Sequence, residues 1–298
     1  MDQLQLMQVF MRVAEMASFT QAATSMGLPK ASVSESGQKL EQQLGTRLLH
    51  RTTRRVQLTQ DGGAYYERCK DLLADFEEAQ TMFSAKPESL RGRLRVDMSS
   101  GIAQNIVLPQ LAQFTALHPM LEIELGSTDR KVDVVREGYD CVIRVGTLSD
   151  SSLIAKPLGQ FVMRNCASPA YVAQYGTPQS VTELATHRLI HYVPSLGGTS
   201  SGFEYIDSAS GQLLNIAMAR GLTVNNTDAY LAACLHGLGI IQVPEIGVRE
   251  HLARGELVEI LPHACAPAMP VNLLYPHRRQ LARRLQVFIA WMEQLMLQ

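Results

Sequence analysis

Three consecutive residues, Gly27-Leu28-Pro29, constrain the start of this chain more than any other feature. Proline cannot sit in a helix interior but opens a helix well, and glycine takes a left-handed position after a helix at little cost. The triplet therefore ends one helix and starts another. Upstream, Leu6, Phe10, Val13 and Ala14 share a face at helical spacing. Ser18, with Gln21 three residues on, carries a capping-box signature for a second helix whose apolar side is Ala22, Ala23 and Met26. Downstream, Val33, Leu40 and Leu44 predict a third helix from about Lys30 to Leu44. Two helices of about 8 and 14 residues around a short glycine-containing turn form a helix-turn-helix pattern, although helical hairpins of other kinds share it.

The next segment narrows the choice. Residues 47–59, RLLHRTTRRVQLT, alternate loosely with Leu49, Val56 and Leu58 apolar. This predicts two short strands around an Arg/Thr-rich tip, a wing. Charge is distributed unevenly here. Between residues 30 and 55, Lys30, Lys39, Arg47, Arg51, Arg54 and Arg55 face only Glu35 and Glu41, a local balance of +4. Between 61 and 78 six acids outnumber Arg68 and Lys70. The whole chain, with 27 Lys+Arg against 28 Asp+Glu, is nearly neutral, but nucleic-acid binding depends on distribution rather than on the sum. A helix-turn-helix with a basic wing reads as a DNA module: arginines supply phosphate charge and the second helix supplies base-edge contacts.

Thr59 and Asp61 cap a long helix expected from about Gln60 to Ala85. Along it Tyr65, Cys69, Leu72, Phe76, Ala79 and Phe83 recur at alternating intervals of four and three. Such a heptad-like seam wants an apolar partner. The partner is either the chain itself or a second copy; DNA-reading helix-turn-helix proteins usually bind as dimers on two half-sites, which favours the second copy. Pro87 to Gly92 reads as a linker. Beyond it strands alternate with helices: 94–98, a helix from Gly101 through Leu117, 121–125, a helix over 132–137 and 141–146. The series continues through 171, 181–184, 222–224, 229–235, 240–243 and 257–260, and a C-terminal helix spans about 280–297. This order predicts an α/β architecture with parallel sheets covered on both faces.

A chain of 298 residues, 46% of them hydrophobic and 18% charged, has ample core for two domains and excludes intrinsic disorder. No apolar run approaches a membrane span, since Leu231 to Val243 is broken by His236, Gly237, Gly239 and Gln242. The opening MDQLQLMQVF lacks a basic n-region, and five scattered cysteines without a CxxC pair argue against a disulfide scaffold. A cytoplasmic protein is expected.

The stretch from Val9 to Gly62, VFMRVAEMASFTQAATSMGLPKASVSESGQKLEQQLGTRLLHRTTRRVQLTQDG, resembles the winged helix-turn-helix of the LysR-type transcriptional regulators almost without gaps. Residues 130–146, RKVDVVREGYDCVIRVG, together with ASPAYVAQYGTP and TDAYLAACLHGLGIIQVP, resemble that family's effector domain. The resemblance spans essentially the whole chain. It implies a DNA-binding domain at 1–59, a linker and dimerisation helix with hinge at 60–91, and an effector-binding domain at 92–298. The last would consist of two Rossmann-like α/β subdomains, similar to periplasmic binding proteins, at 92–162 with 268–298 and at 163–267. It also implies a homodimer paired through the long helix, usually assembled into a homotetramer, with a small effector in the cleft between subdomains. RNA polymerase is a further candidate partner. Two departures stand out. Glu35 replaces a frequent arginine and Gly37 a usual apolar residue, so the target sequence is not transferable from relatives and the recognition helix is expected to be locally softer.

Lys30, Ser34, Glu35 and Gln38 lie on the face opposite Val33 and Leu40 and are expected to reach base edges. Ser18, Thr20, Arg51, Thr52, Arg54 and Arg55 are expected at phosphates. For the effector, Ser99 and Ser100 sit where a strand gives way to a helix, Thr128 follows the second strand and Arg144 lies in the third. Thr227 and Gln242 come from the other subdomain. Ligands of open α/β sheets bind outside the carboxyl ends of strands, and helix starts favour anions, so a small carboxylate contacted by Ser100, Arg144 and Thr227 is expected. The opposing reading has Ser100 and Thr227 merely capping helices and Arg144 paired with a structural acid. No P-loop, HExxH or GxSxG is present and the eight histidines lack metal-ligand spacing, so neither an enzyme nor a metal or cofactor is expected. Cys141, Cys166 and Cys234 read as buried, inert thiols. Two other functions stay open: an effector-independent repressor or architectural DNA binder, and a solute-binding protein or enzyme on the same α/β scaffold.

Overall fold

The computed structural model describes residues 2–51, 56–81, 90–148, 152–277 and 281–297. Contacts group the chain into two units, Met1–Arg93 with His118–Glu122, and Leu94–Leu117 with Ile123–Gln298.

In the first unit, α1 (Gln3–Met16) is opened by a reciprocal box in which Asp2 accepts from the Gln5 amide and the Gln5 side chain accepts from the Asp2 amide. Ser18 caps α2 (Phe19–Met26), accepting from the Gln21 amide at 3.3 Å, and Gly27 ends it at φ 64°. Pro29 opens α3 (Lys30–Leu44). The wing strands β1 (Leu49–Arg51) and β2 (Val56–Leu58) pair antiparallel, with Leu49 opposite Leu58, and α4 (Gln60–Thr81) follows. The core draws on every element: Leu6, Val9, Phe10 and Val13 from α1, Ala22 and Ala23 from α2, Val33 and Leu40 from α3, then Leu48, Leu49 and Cys69. Leu44, expected inward, is 40% exposed at the last turn of α3.

The wing is fastened at both ends. Glu41 Oε1, on α3, accepts from the amides of Leu48 at 2.9 Å and Leu49 at 3.0 Å. On the other side the Thr59 hydroxyl donates to Arg47 O at 2.7 Å and accepts from the Gly62 amide at 2.8 Å. Gly62 lies so close to the chain that a Cβ there would meet Leu48 O at 1.9 Å.

The second unit begins with β3 (Gly92–Met98) and a continuous helical run of α5 (Ser100–Ile102), a π-helical stretch Ala103–Val107 and α6 (Leu108–Leu117). Then come β4 (Leu121–Ser127), β5 (Cys141–Val145), β6 (Leu153–Phe161), β7 (Met163–Ala167), α7 (Pro169–Tyr175), β8 (Arg188–Tyr192), β9 (Phe203–Ile206), β10 (Leu213–Ile216) and β11 (Ala219–Val224). The chain ends through α8 (Thr227–Leu235), β12 (Ile241–Pro244), α9 (Arg249–Ala253), β13 (Val258–Glu259), β14 (Met269–Pro276) and α10 (Arg283–Met296). One sheet has the order β4-β3-β5-β14-β6; the other is built on β12-β7-β13, with β8 and β11 joined through a bridge from Leu189 to Ile240.

Neither sheet is purely parallel, contrary to expectation. β3 and β5 run parallel, but β14 is antiparallel to both β5 and β6, because it is the returning strand of a chain that has left the first sheet and come back. β7 likewise pairs antiparallel with β12 and β13. The expected helix over 132–137 is a series of hydrogen-bonded turns closed by the Glu137 amide on Asp133 O at 2.8 Å. The hairpin of β9 and β10, not expected from the sequence, is antiparallel. No helix among the described residues is long and apolar enough to cross a membrane.

Candidate nucleic-acid interface and effector cleft

The outward face of α3 is the candidate reading surface. Val33 and Leu40 are fully buried, which fixes the roll of the helix. Lys30, Glu35 and Gln38 are then exposed and Ser34 half-buried, spread over about 140° at about 100° per residue. Thr20, on α2, is exposed, while the Ser18 oxygen is engaged in capping. Gly37 falls on the buried side, where it contributes no side chain to the core. Ser36, also buried, returns its hydroxyl to Ser32 O at 2.6 Å. Arg51 ends β1; Thr52, Arg54 and Arg55 lie outside the described residues.

The seam of α4 divides in two, which corrects its assignment as one dimerisation stripe. Cys69 is fully buried in the protein's own N-terminal core, and Tyr65 packs there with its ring centroid 5.6 Å from that of Phe10. Cys69 is thus closed to a second copy, and Tyr65 is half-buried against the same core. Leu72 and Phe76 are 50% and 40% exposed, and Ala79 is exposed beyond them. Phe83 lies outside the described residues.

Ser99, Ser100, Thr128 and Arg144 lie at the ends of β3, β4 and β5, and the side chains of Thr128 and Arg144 are already engaged. Asp97, at the end of β3, is fully buried. Arg144 donates to its Oδ2 at 2.5 Å, and the Thr128 hydroxyl donates to both its oxygens at 3.0 and 3.1 Å. Arg144 is therefore neutralised by a structural acid, and its role as a free cation for an anionic ligand is not supported. The reason is energetic: a lone carboxylate at that depth would be costly without a paired, hydrogen-bonded cation. Gln242 does not face the cleft. Its side chain donates to Asn165 Oδ1 at 2.8 Å and Glu204 O at 2.7 Å and accepts from the Glu204 amide at 2.8 Å, tying β9 to β12.

Ser100 and Thr227 do come together, on a residue the sequence reading passed over. Asp129 Oδ1 accepts from the Ser100 amide at 3.2 Å and Oδ2 from the Thr227 amide at 2.6 Å. Ser99, just before α5, makes no side-chain cap bond. Nearby, Gln104 donates to Asp228 Oδ1 at 3.2 Å. The Thr227 hydroxyl is buried without a hydrogen-bond partner. Tyr192, at the end of β8, is pushed up to about 12, first by burial and then by the negative charge of Asp129. The thiols of Cys166 and Cys234 are likewise pushed up to about 12 by burial, and Cys141 also moves up, so all three stay protonated at neutral pH.

Both regions match known families. Residues 4–63 match the model of the bacterial regulatory helix-turn-helix proteins of the lysR family, and residues 87–296 match the LysR substrate binding domain. The HTH-type transcriptional regulator YhjC of Escherichia coli is 47% identical over 99% of this chain and 98% of its own length. An HTH-type transcriptional repressor of Pseudomonas aeruginosa is 36% identical over 99% of this chain and 92% of its own. Among solved structures, the LysR-type regulator CrgA of Neisseria meningitidis aligns with a TM-score of 0.62 and 28% identity, covering 98% of both chains. A winged helix-turn-helix followed by a two-sheet ligand-binding domain, matched along its whole length, makes this chain a member of the LysR family of DNA-binding transcriptional regulators, whose activity is modulated by a small-molecule effector.

Proposed function

We propose that this protein acts in the cytoplasm as a homodimer, or a tetramer built from such dimers, on an operator of two inverted half-sites, with no catalytic step of its own. Lys30, Ser34, Glu35 and Gln38 read base edges, and Thr20, Arg51, Thr52, Arg54 and Arg55 hold phosphates. The exposed row Leu72, Phe76 and Ala79 joins two copies. The observation that carries this reading is the roll of α3: burial of Val33 and Leu40 leaves its polar residues outward on one face. Glu35 is suited to accept from a cytosine amino group, which an arginine at that position would not do.

The effector is a small polar molecule held between the two sheets by Ser99, Ser100, Thr128 and Thr227, with Tyr192 alongside. Coupling between this site and DNA is of the usual allosteric size, about 1–3 kcal/mol. The test is selection of bound duplexes from a random pool, followed by a salt series on the selected and a scrambled duplex. Arg54→Ala should weaken both and lower the salt slope by about 0.9 per lost phosphate contact. An equal loss for Glu35→Ala on both duplexes would remove it from base reading.

A further inference from the structure

Each sheet of the effector domain presents one helix start to the cleft. The run Ser100–Leu117 follows β3 of the five-stranded sheet, and α8 follows β11, beside β8. The first amides of a helix have no partner inside it, and together they carry about half a positive charge. In α8 the Asn226 side chain takes the Ala229 amide at 2.7 Å, which leaves the Thr227 amide open. At the other helix Ser99 gives no side-chain cap, which leaves the Ser100 amide open. Asp129, from the loop after β4, fills both vacancies with one carboxylate, one oxygen to each helix. The Gln104–Asp228 hydrogen bond spans the same pair of helices.

We propose that Asp129 is a built-in anion that clasps the two halves of the effector domain, and that an external carboxylate reaches the Ser100 and Thr227 amides only by displacing it. The inference rests on reading this cleft as the effector site, but the clasp is testable without an effector. Three features support it. The bonds are charge-assisted, with the shorter at 2.6 Å, and each joins a helix from a different sheet. Arg144, at the end of the neighbouring strand β5, is held by Asp97 and does not compete for Asp129. Tyr192, raised first by burial and also by the charge of Asp129, stays a neutral phenol beside the carboxylate. A regulator of this design senses carboxylates by competition. Its apparent affinity is lowered by the fraction of molecules with the clasp shut.

The experiment uses the full-length protein, with amide hydrogen exchange read at the starts of α5 and α8, and sodium acetate titrated against matched sodium chloride. In Asp129→Ala, exchange at Ser100 and Thr227 should rise roughly tenfold or more. Acetate, entering the vacated position, should slow it again, while the wild type is insensitive to acetate over the same range. Asp129→Asn preserves shape but offers one acceptor oxygen, so it should release one helix start and not both; it carries the test if the alanine variant folds poorly. Unchanged exchange in both variants, or an acetate effect equal in wild type and variants, would overturn the clasp. The effector reading fails separately: a wild-type protein whose operator affinity no small metabolite alters would remove it, even with acetate rescue of Asp129→Ala intact.

Discussion

The outer face of α3 and the cleft between the two sheets use similar residue types in opposite ways. On α3, Lys30, Glu35 and Gln38 stand in water, held in place only by the burial of Val33 and Leu40 behind them. In the cleft, Asp97, Thr128 and Arg144 bind one another, and Asp129 binds two helix starts. A surface that reads DNA keeps its donors and acceptors uncommitted, because phosphates and base edges supply the partners. A cleft that is to be empty part of the time satisfies most of its own polar groups, the Thr227 hydroxyl excepted, because desolvated ones without partners are costly. Substitution on α3 should therefore cost binding without folding, and substitution in the cleft should cost folding first.

The largest effect expected from that contrast is at Arg144. Arg144→Ala leaves Asp97 charged and fully buried, a loss of about 3–5 kcal/mol in folding stability by denaturant titration. A loss under about 1 kcal/mol would mean that water or another residue takes the place of the guanidinium. Next is the exposed part of α4. Leu72→Arg should leave the protomer folded, since Leu72 is half exposed, yet weaken self-association and operator binding by at least about tenfold, or about 1.4 kcal/mol. Sedimentation showing the variant as oligomeric as wild type would assign the contact elsewhere. Ser34→Ala and Glu35→Ala should each cost about 1–3 kcal/mol on the selected duplex and much less on a scrambled one, with unchanged unfolding midpoints. A fall in the midpoint would break the contrast from the α3 side.

The smallest effect concerns His187, buried at 4% exposure, with Nδ1 3.1 Å from the Tyr171 hydroxyl. That oxygen already accepts from the Arg188 amide at 2.8 Å, so it donates to a neutral imidazole. Burial holds the His187 pKa below its ordinary value. Unfolding then takes up a proton, so this contribution is present above the ordinary histidine pKa and is lost as pH falls through it toward the folded value. His187→Phe should flatten that part of the stability profile; an unaltered slope would assign it to other groups.

How far the sequence carried depends on whether the deciding chemistry is local. The bounds of α2 and α3 follow from Ser18, Gly27 and Pro29, each acting on its own neighbours, and the structure places Ser18 and Gly27 at the two ends of α2. The seam of α4 was visible, but a heptad does not say what covers it. Its first part turned inward because Phe10 and its neighbours on α1 lie against that face. In the cleft the residues at strand ends were found and their partners were not. A signal existed for one: Asp97 sits in the strand GRLRVDM, between Val96 and Met98, and a charge there demands a counterion on an adjacent strand, which Arg144 of β5 supplies. Asp129 gave no such signal, because an acid in a loop is ordinary until two helix starts converge on it. Gln242 misled for the opposite reason: its position near a strand end suggested the cleft, while its amide closes hydrogen bonds inside its own half.

Gly62 has a mechanical consequence for how such a protein would measure DNA. With 1.9 Å between a would-be Cβ and Leu48 O, the first turn of α4 lies backbone against backbone on the chain that enters the wing. Thr59 bolts the same corner from the side, and Glu41 ties the wing to the recognition helix. The wing strands β1 and β2, α3 and the root of α4 are thus tied to one another at this corner like a caliper jaw. In a pair of copies joined further along α4, the gap between the two jaws is set by the angle at which the helices cross. A small change in that angle, amplified along the shaft, alters which half-site spacing can be gripped at both ends.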